Sequence, residues 1–404
     1  MRFFLLLAVA AILSPPVSAQ IDCSGVVTGP GGKPLPMAHV ALLTPDATSV
    51  LQVNQATTTG AFRVTLPGSG LWFLRFTGVG YSDYSMVVYA QDRRPIELTI
   101  ALGCHNYFAG QPDISVIGDF NLWNILSAVP MKYQGHGLYT AEVHTKSDTV
   151  TFRLRGIRDR DVAEGVRNAT YVRTPDGLYN ARIPASGGKA IIRFEESLLD
   201  RSGTPAKAVF VAATDRTKRI ASAVSRWWKG EQDYIAARLN AARSRKPLDS
   251  TIFDWRPRLA ALFREEEKEP DTLVRSVLAL AYVSTALKAR DRDVASATTC
   301  LEHLGPGSQA WELNPDALSL SVRKSSWPEA KWEAYIHEAL ARQPSRSVKE
   351  AVLFNEFQIA LLSEEKEKAA GYYDILTTQY ADTPRGKMIR EKYSRPGTPP
   401  AGKK

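Results

Sequence analysis

Residues 23–102 alternate between apolar and polar positions with a period of two. Runs such as Ala61-Phe62-Arg63-Val64 are separated by glycine and proline, which favour turns between short strands. Gly60 stands directly before that run, at a turn where a positive φ is needed. The pattern predicts a small antiparallel β-sandwich, and we place this domain at residues 20–104.

A second group of alternating segments lies between residues 113 and 192. Residues 114–117, 137–143 and 149–155 have the composition of strands, and Thr174-Pro175-Asp176-Gly177 predicts a hairpin turn. These segments predict a second β-sandwich at residues 112–200.

After residue 204 the apolar positions recur at intervals of three and four. Ile220, Ala223, Val224 and Trp227 illustrate this spacing, which is typical of amphipathic helices. Prolines that can start helices stand at positions 270, 315, 328 and 384. We predict an all-α domain of helical hairpins at residues 205–394. The fold class is therefore multidomain β + α, with two N-terminal β-sandwiches followed by helices.

The first region resembles the carboxypeptidase regulatory-like domain, a transthyretin-like β-sandwich. The residues that carry this resemblance are Gly25-Val26-Val27, Gly32-Lys33-Pro34-Leu35-Pro36, Ala38-His39-Val40, Thr59-Gly60-Ala61-Phe62 and Gly78-Val79-Gly80-Tyr81. Domains of this family are accessory modules without an active site. The resemblance therefore implies a fold and no chemistry.

The second region contains Gly118-Asp119-Phe120-Asn121-Leu122-Trp123 directly after its first predicted strand. This motif resembles the early-set, immunoglobulin-like domains of the glycogen-binding type (the AMPK-type modules of carbohydrate-binding family 48). The resemblance implies a sugar site in which Trp123 stacks on the sugar, with Asn121 and Asp119 beside it. The family's second aromatic residue is absent, because residues 155–159 contain none. Two interpretations stay open: the motif holds a sugar, or it only turns a strand.

The last helical pair resembles a tetratricopeptide (TPR) repeat. Ala369-Ala370-Gly371-Tyr372-Tyr373, Leu376 and Tyr380 precede the closing Pro384. The helical region also resembles the segment before the thioredoxin domain in exported thiol–disulfide proteins, although the chain has no C-x-x-C. Stacked helical hairpins bind extended partners, so we expect an envelope protein or peptide to dock there.

The two ends of the chain predict its compartment. Arg2, an apolar run and the small residues Val17-Ser18-Ala19 form a secretory signal peptide over residues 1–19. We expect an exported protein, periplasmic or extracellular, with no integral membrane segment after cleavage. Residues 395–404 have the composition of a disordered tail.

Charge and cysteines add two expectations. The formal net charge is +9, and because an exported protein rarely meets nucleic acid, we expect anionic envelope polymers or lipid headgroups, and no nucleic acid, as partners for this charge. Cys23 begins and Cys104 ends the first domain, so in an oxidising compartment these two can form a disulfide that clasps it, or remain reduced.

Catalytic and metal-binding motifs are absent from the sequence, and we expect a non-enzymatic protein without a cofactor or metal. Trp227 and Trp228 are adjacent on a predicted helix and cannot both face one core, so they are candidate partner contacts. Our main hypothesis is a binding or scaffolding protein of the cell envelope, with protein partners on the helical domain. The alternative is binding of an α-glucan-like carbohydrate around Trp123.

Overall fold

The structure is a computed structural model, and it describes residues 20–92, 94–108, 113–158, 160–175, 177–244, 253–289 and 293–397. The predicted signal peptide and residues 398–404 of the predicted tail lie outside these ranges. Strands in several sheets come first and helices follow, so the predicted fold class is confirmed.

The first sandwich packs two sheets face to face. Its strands are β1 (Ile21–Thr28), β2 (His39–Leu43), β3 (Val50–Gln55), β4 (Ala61–Leu66), β5 (Gly70–Gly78), β6 (Tyr81–Ala90), β7 (Ile96–Ala101) and β8 (Gly103–Cys104). One sheet contains β7, β1 and β4, and the other has the order β3-β2-β5-β6-β8. β1 pairs antiparallel with β4 but parallel with β7.

The five-stranded sheet is apolar on both faces. Val40, Leu74 and Val88 point into the sandwich, while Leu43, Phe73 and Val87 belong to the core of the helical region. This explains why β2 and β5 are nearly continuous apolar runs instead of alternating ones. Each fully buried side chain of this size contributes roughly 1.5–3 kcal/mol. The first sandwich and the helices therefore share one hydrophobic unit.

The second sandwich contains β9 (Ser115–Gly118), β10 (Val129–Pro130), β11 (Lys132–Gly135), β12 (Leu138–His144), β13 (Thr149–Arg155), β14 (Thr170–Arg173), β15 (Tyr179–Pro184) and β16 (Lys189–Glu195). The sheets have the orders β10-β9-β13-β15-β14 and β11-β12-β16. Their alternating apolar residues, among them Val116, Phe152 and Phe194, meet in a separate core.

One strand leaves the second sandwich and returns to the first. β17 (Lys207–Ala212) pairs antiparallel with β7 at the edge of its sheet. It lies inside the range 205–394 that we predicted as helical, and the first helix begins only at Asp215. Ala208 and Phe210 pack on the core of the sandwich while Val209 and Val211 are exposed, so the side chains alternate as in a strand although residues 208–212 read as a continuous apolar run.

Nine α-helices follow among the described residues. They are α1 (Asp215–Arg243), α2 (Arg256–Lys268), α3 (Thr272–Ala286), α4 (Val294–Leu304), α5 (Ala317–Arg323), α6 (Glu329–Arg342), α7 (Arg346–Leu362), α8 (Lys366–Thr378) and α9 (Pro384–Lys392). Helices begin at or just after all four predicted prolines. Asp271 caps α3 by accepting hydrogen bonds from the N–H groups of Leu273 and Val274. In the described part of the chain, every helix is too short or too polar to cross a membrane.

Of the two alternatives left open for Cys23 and Cys104, this structure shows the reduced one, because both thiols are free. The parallel pairing of β1 with β7 places Cys23 opposite Ile96 and Thr28 opposite Ala101. Cys104 therefore lies beyond the far end of β1, about 16 Å or more along the strand direction. A disulfide requires Cα atoms within about 7 Å.

Candidate functional site

The side chains of the Gly118–Trp123 motif hold its own turn together. The Asp119 carboxylate accepts a hydrogen bond from the Thr151 N–H at 2.9 Å. The Asn121 amide oxygen accepts from the Gly118 N–H at 3.0 Å, and its NH₂ donates to the Ser127 carbonyl at 2.9 Å. Asp119 and Asn121, the two polar residues among the three predicted to bind a ligand, are thus engaged with the backbone.

Trp123 is half-buried at the end of that turn. Its φ is +60°, and its backbone N–H donates to the Gly118 carbonyl at 2.8 Å. The guanidinium carbon of Arg153 lies 5.7 Å from the centre of the Trp123 ring. Arg153 therefore covers one region of the indole by a cation–π contact. The sugar site at Trp123 stays a prediction, with fewer available polar groups than the motif suggested.

The two adjacent tryptophans belong to α1 and lie on the side of this helix that packs against the first sandwich. Trp227 is buried, and the ring of Trp228 packs 5.0 Å from the ring of Phe73. The apolar outer face of β5 explains this inward placement. Trp228 is only half-buried, and the role of the pair in partner contact stays a prediction.

A different site forms where the two sandwiches meet. The Tyr179 hydroxyl of the second sandwich lies 2.9 Å from Nδ1 of His39 and 3.2 Å from the Thr77 hydroxyl, both in the first. Tyr179 is buried, and burial raises the pKa of its hydroxyl to about 12. This contact fixes one side of the junction.

Glu164 is the central acid of the junction. Its Oε1 accepts a hydrogen bond from the Tyr107 hydroxyl at 3.2 Å and lies 3.8 Å from Nε2 of His105. Its Oε2 accepts from the Ala163 N–H at 3.2 Å. Burial raises the pKa of the Glu164 carboxyl. An acid held in this way prefers its protonated form more than an exposed glutamate does.

Ser82 continues the network of hydrogen-bonded polar groups around Glu164. Its hydroxyl donates to the Cys104 carbonyl at 3.0 Å, and its oxygen lies 3.1 Å from Nδ1 of His105. The Ser82 hydroxyl carries one hydrogen, so when it donates to the carbonyl it can only accept from a protonated Nδ1 of His105. In a neutral imidazole, that arrangement leaves Nε2 without a hydrogen on the side of Glu164.

Two clefts open on either side of the turn formed by residues 78–81, and Glu164 borders both. The His105 cleft has a volume of about 280 Å³ and is also lined by Asp83, Arg158 and Arg160. The Tyr171 cleft has a volume of about 680 Å³. Its lining includes Tyr81, Tyr107, Tyr171, Asn168 and Asp200.

Sequence reasoning missed both clefts because each combines residues from two separate sandwiches. Gly78-Val79-Gly80-Tyr81 was noticed only as part of a fold resemblance. Gly80 has a φ of +81°, and a Cβ there would lie 3.6 Å from the Cβ of Glu164. That distance is an ordinary van der Waals contact, so it is the positive φ that favours glycine at this turn.

Comparisons with known proteins add little to this geometry. No protein-family model and no curated protein matches the chain. A structure of a candidate carbohydrate binding protein from Bacteroides uniformis is 9% identical and covers 47% of this chain and 99% of its own, with a TM-score of 0.19. The major pilin subunit of Bacillus cereus is 13% identical and covers 47% and 57%, with a TM-score of 0.20. At such TM-scores neither likeness carries an argument.

Proposed function

We propose that this chain is an exported, non-enzymatic binding protein of the cell envelope whose ligand occupies the Tyr171 cleft. The observation that supports the proposal is the position of that cleft at a junction of two domains, where small-molecule sites are common. The junction is fixed by Tyr179, so the walls of the cleft are already in place before a ligand arrives.

The lining of the cleft favours a carbohydrate ligand. Tyr81, Tyr107 and Tyr171 supply aromatic surface for the C–H face of a sugar ring, and Asn168 and Asp200 supply groups for its hydroxyls. The resemblance of the Gly118–Trp123 motif implies a sugar at Trp123, where the side chains of Asp119 and Asn121 are hydrogen-bonded to the backbone. The Tyr171 cleft combines several aromatic residues with polar ones, as sugar sites generally require.

Calorimetric titration with soluble oligosaccharides tests this proposal and locates the site. Maltoheptaose, cellohexaose and chitohexaose are suitable probes. We expect one of them to bind, and Tyr171→Ala to weaken its binding about tenfold through lost stacking. Trp123→Ala is the matched aromatic control and should leave the affinity within about twofold. Thermal unfolding of each variant would show that the fold is retained.

The opposite pattern would return the site to the Gly118–Trp123 turn. Binding that is lost in Trp123→Ala and kept in Tyr171→Ala would contradict the cleft assignment. The absence of binding for all three oligosaccharides would remove carbohydrate as the ligand class.

A second candidate function is ester hydrolysis, and the order Ser82–His105–Glu164 favours it. In such a reaction the Ser82 oxygen would attack the ester carbonyl, and His105 would take its proton and give it to the leaving alcohol, which leaves an acyl-serine. Water would then attack the acyl carbonyl, and His105 would pass a proton of that water to the Ser82 oxygen as the carboxylic acid is released. The hydrogen bond of Ser82 to the Cys104 carbonyl opposes this role, because it directs the hydroxyl hydrogen away from the imidazole.

Hydrolysis of p-nitrophenyl acetate separates the two candidate functions. A binding protein should give the same slow rate with the native chain and with Ser82→Ala. A rate that falls at least tenfold in Ser82→Ala would favour the enzyme.

Docking of a protein partner on the helical domain stays a prediction.

A further inference from the structure

The loop between β9 and β10 carries an exposed apolar tip. It spans residues 119–128 and is called the 119–128 loop below. Leu122 and Leu126 are 89% and 96% exposed, and Ile125 is 56% exposed. Residues 120–128 contain no charged side chain. Because water disfavours large aliphatic side chains, a cluster of them on the surface marks a place of contact.

The 119–128 loop pairs its own backbone donors. The N–H groups of residues 122, 123, 124, 126, 127 and 128 all donate to oxygens of residues 118–125. The Asn121 side chain adds a hydrogen bond to the Ser127 carbonyl at 2.9 Å. Unpaired N–H groups oppose transfer from water into an apolar medium, and paired ones do so far less. The tip is therefore able to enter an apolar layer without leaving these donors unpaired.

Two arginines of the outer sheet face stand beside the loop. The guanidinium carbon of Arg153 lies 5.7 Å from the centre of the Trp123 ring. Arg182 is exposed, and its Nε lies 3.4 Å from the hydroxyl of Thr151, whose N–H donates to Asp119. Among the residues that the structure describes, no carboxylate lies at ion-pair distance from Arg182. Asp119 is the only acid of the loop, and the two arginines outnumber it.

An apolar tip with a tryptophan and arginines at its base matches the layers of an anionic lipid bilayer. Aliphatic side chains enter the acyl boundary, indoles favour the interfacial layer, and arginines pair with phosphate groups. We propose that the 119–128 loop anchors the chain on an anionic membrane surface. Leu122 and Leu126 insert between the lipids, and Arg182 lies at the level of the headgroups.

The shape of the loop favours lipid over a protein partner. A protein would need a pocket that matches the tip, whereas a bilayer makes room for it by rearranging its lipids. The anchor is independent of the Tyr171 cleft, so either can fail without the other.

Flotation of the full chain with phospholipid vesicles tests the proposal. One set of vesicles contains equal parts of phosphatidylcholine and phosphatidylglycerol, and a second set contains phosphatidylcholine alone. At about 50 mM salt, where screening is weak, we expect binding to the anionic set. Leu126→Ser should weaken that binding about tenfold, because the inserted apolar area is lost. Arg182→Gln should weaken it about fivefold and leave any binding to phosphatidylcholine alone unchanged.

Leu362→Ser is the matched control, because Leu362 is 86% exposed at the end of α7, away from the loop. It should leave the affinity within about twofold, and circular dichroism of each variant would show that the fold is retained. The proposal would be overturned if the native chain did not float with the anionic vesicles, or if Leu126→Ser and Leu362→Ser weakened binding equally.

Analytical sedimentation without lipid separates the membrane from a second copy of the chain as the occupant. We expect the native chain to be a monomer. A dimer that Leu126→Ser dissociates would make the 119–128 loop an interface between copies and would also overturn the proposal.

Discussion

The hydroxyl of Tyr179 lies 2.9 Å from Nδ1 of His39, across the junction of the two sandwiches, although the two residues are 140 positions apart in the chain. The same hydroxyl lies 3.2 Å from the Thr77 hydroxyl and 3.3 Å from the carbonyls of Met37 and Thr77. One buried phenol thus serves four polar atoms of the first sandwich. Tyr179 also lines the His105 cleft.

Tyr179→Phe removes this hydroxyl and leaves its buried partners without their hydrogen bond. We expect the free energy of unfolding to fall by about 1–3 kcal/mol, as measured by urea denaturation. Tyr133→Phe removes a hydroxyl from an exposed tyrosine and should change it by less than about 0.5 kcal/mol. Equal effects would mean that the junction does not depend on Tyr179.

Glu312 makes stability depend on pH. Burial raises the pKa of its carboxyl to about 7, and the Asp46 carboxylate acts in the same direction. The folded state therefore keeps a proton that the unfolded state has lost between about pH 4.5 and pH 7. Stability should fall as the pH rises through that window, and the penalty is complete above pH 7.

Glu312→Gln removes this penalty. We expect it to raise the free energy of unfolding by about 1–3 kcal/mol at pH 8 and to change it little at pH 4. Urea denaturation at the two pH values measures the difference. Glu391→Gln, on the exposed end of α9, should have a small effect at both pH values. A Glu312→Gln effect that is the same at both would contradict the assignment.

Gly25 is required by the close approach of β1 and β7. A Cβ at this position would lie 1.8 Å from the Leu98 carbonyl oxygen, so the pairing of Gly25 with Leu98 cannot accommodate it. We expect Gly25→Ala to destabilise the chain by at least about 3 kcal/mol in thermal or urea unfolding.

Gly371 on α8 provides the opposite case, because nothing lies within 4 Å of a Cβ built there. Gly371→Ala should stabilise the chain by about 0.5–1 kcal/mol through helix propensity. If Gly25→Ala were equally tolerated, the parallel pairing of β1 with β7 would be wrong.

The free cysteines predict a thiol count. The denatured chain should titrate three thiols with Ellman's reagent without prior reduction. In the folded chain at pH 8, Cys23 should not react, because burial raises its pKa to about 12. A reducing agent should leave the unfolding midpoint unchanged. If the denatured, unreduced chain showed a single thiol, two of the three cysteines would be joined by a disulfide.

The candidate site was only partly accessible to sequence reasoning. The Gly118–Trp123 motif was found because all of its residues are contiguous, and its turn is built by contacts within ten residues, plus one to Thr151. The junction clefts were not found. Ser82, His105 and Glu164 carry no shared motif, and they meet only because two sandwiches pack against each other.

The sequence by itself determined the order of the β and α regions and the starts of the helices. These depend on local periodicity and on caps such as Asp271, which act over a few residues. The tertiary structure alone decided the parallel partner of β1, the return of β17 to the first sandwich and the second apolar face of the β5 sheet. Each of these joins segments far apart in the chain. Such pairings follow from the apolar surface that the whole chain can bury, and no short window of sequence contains that information.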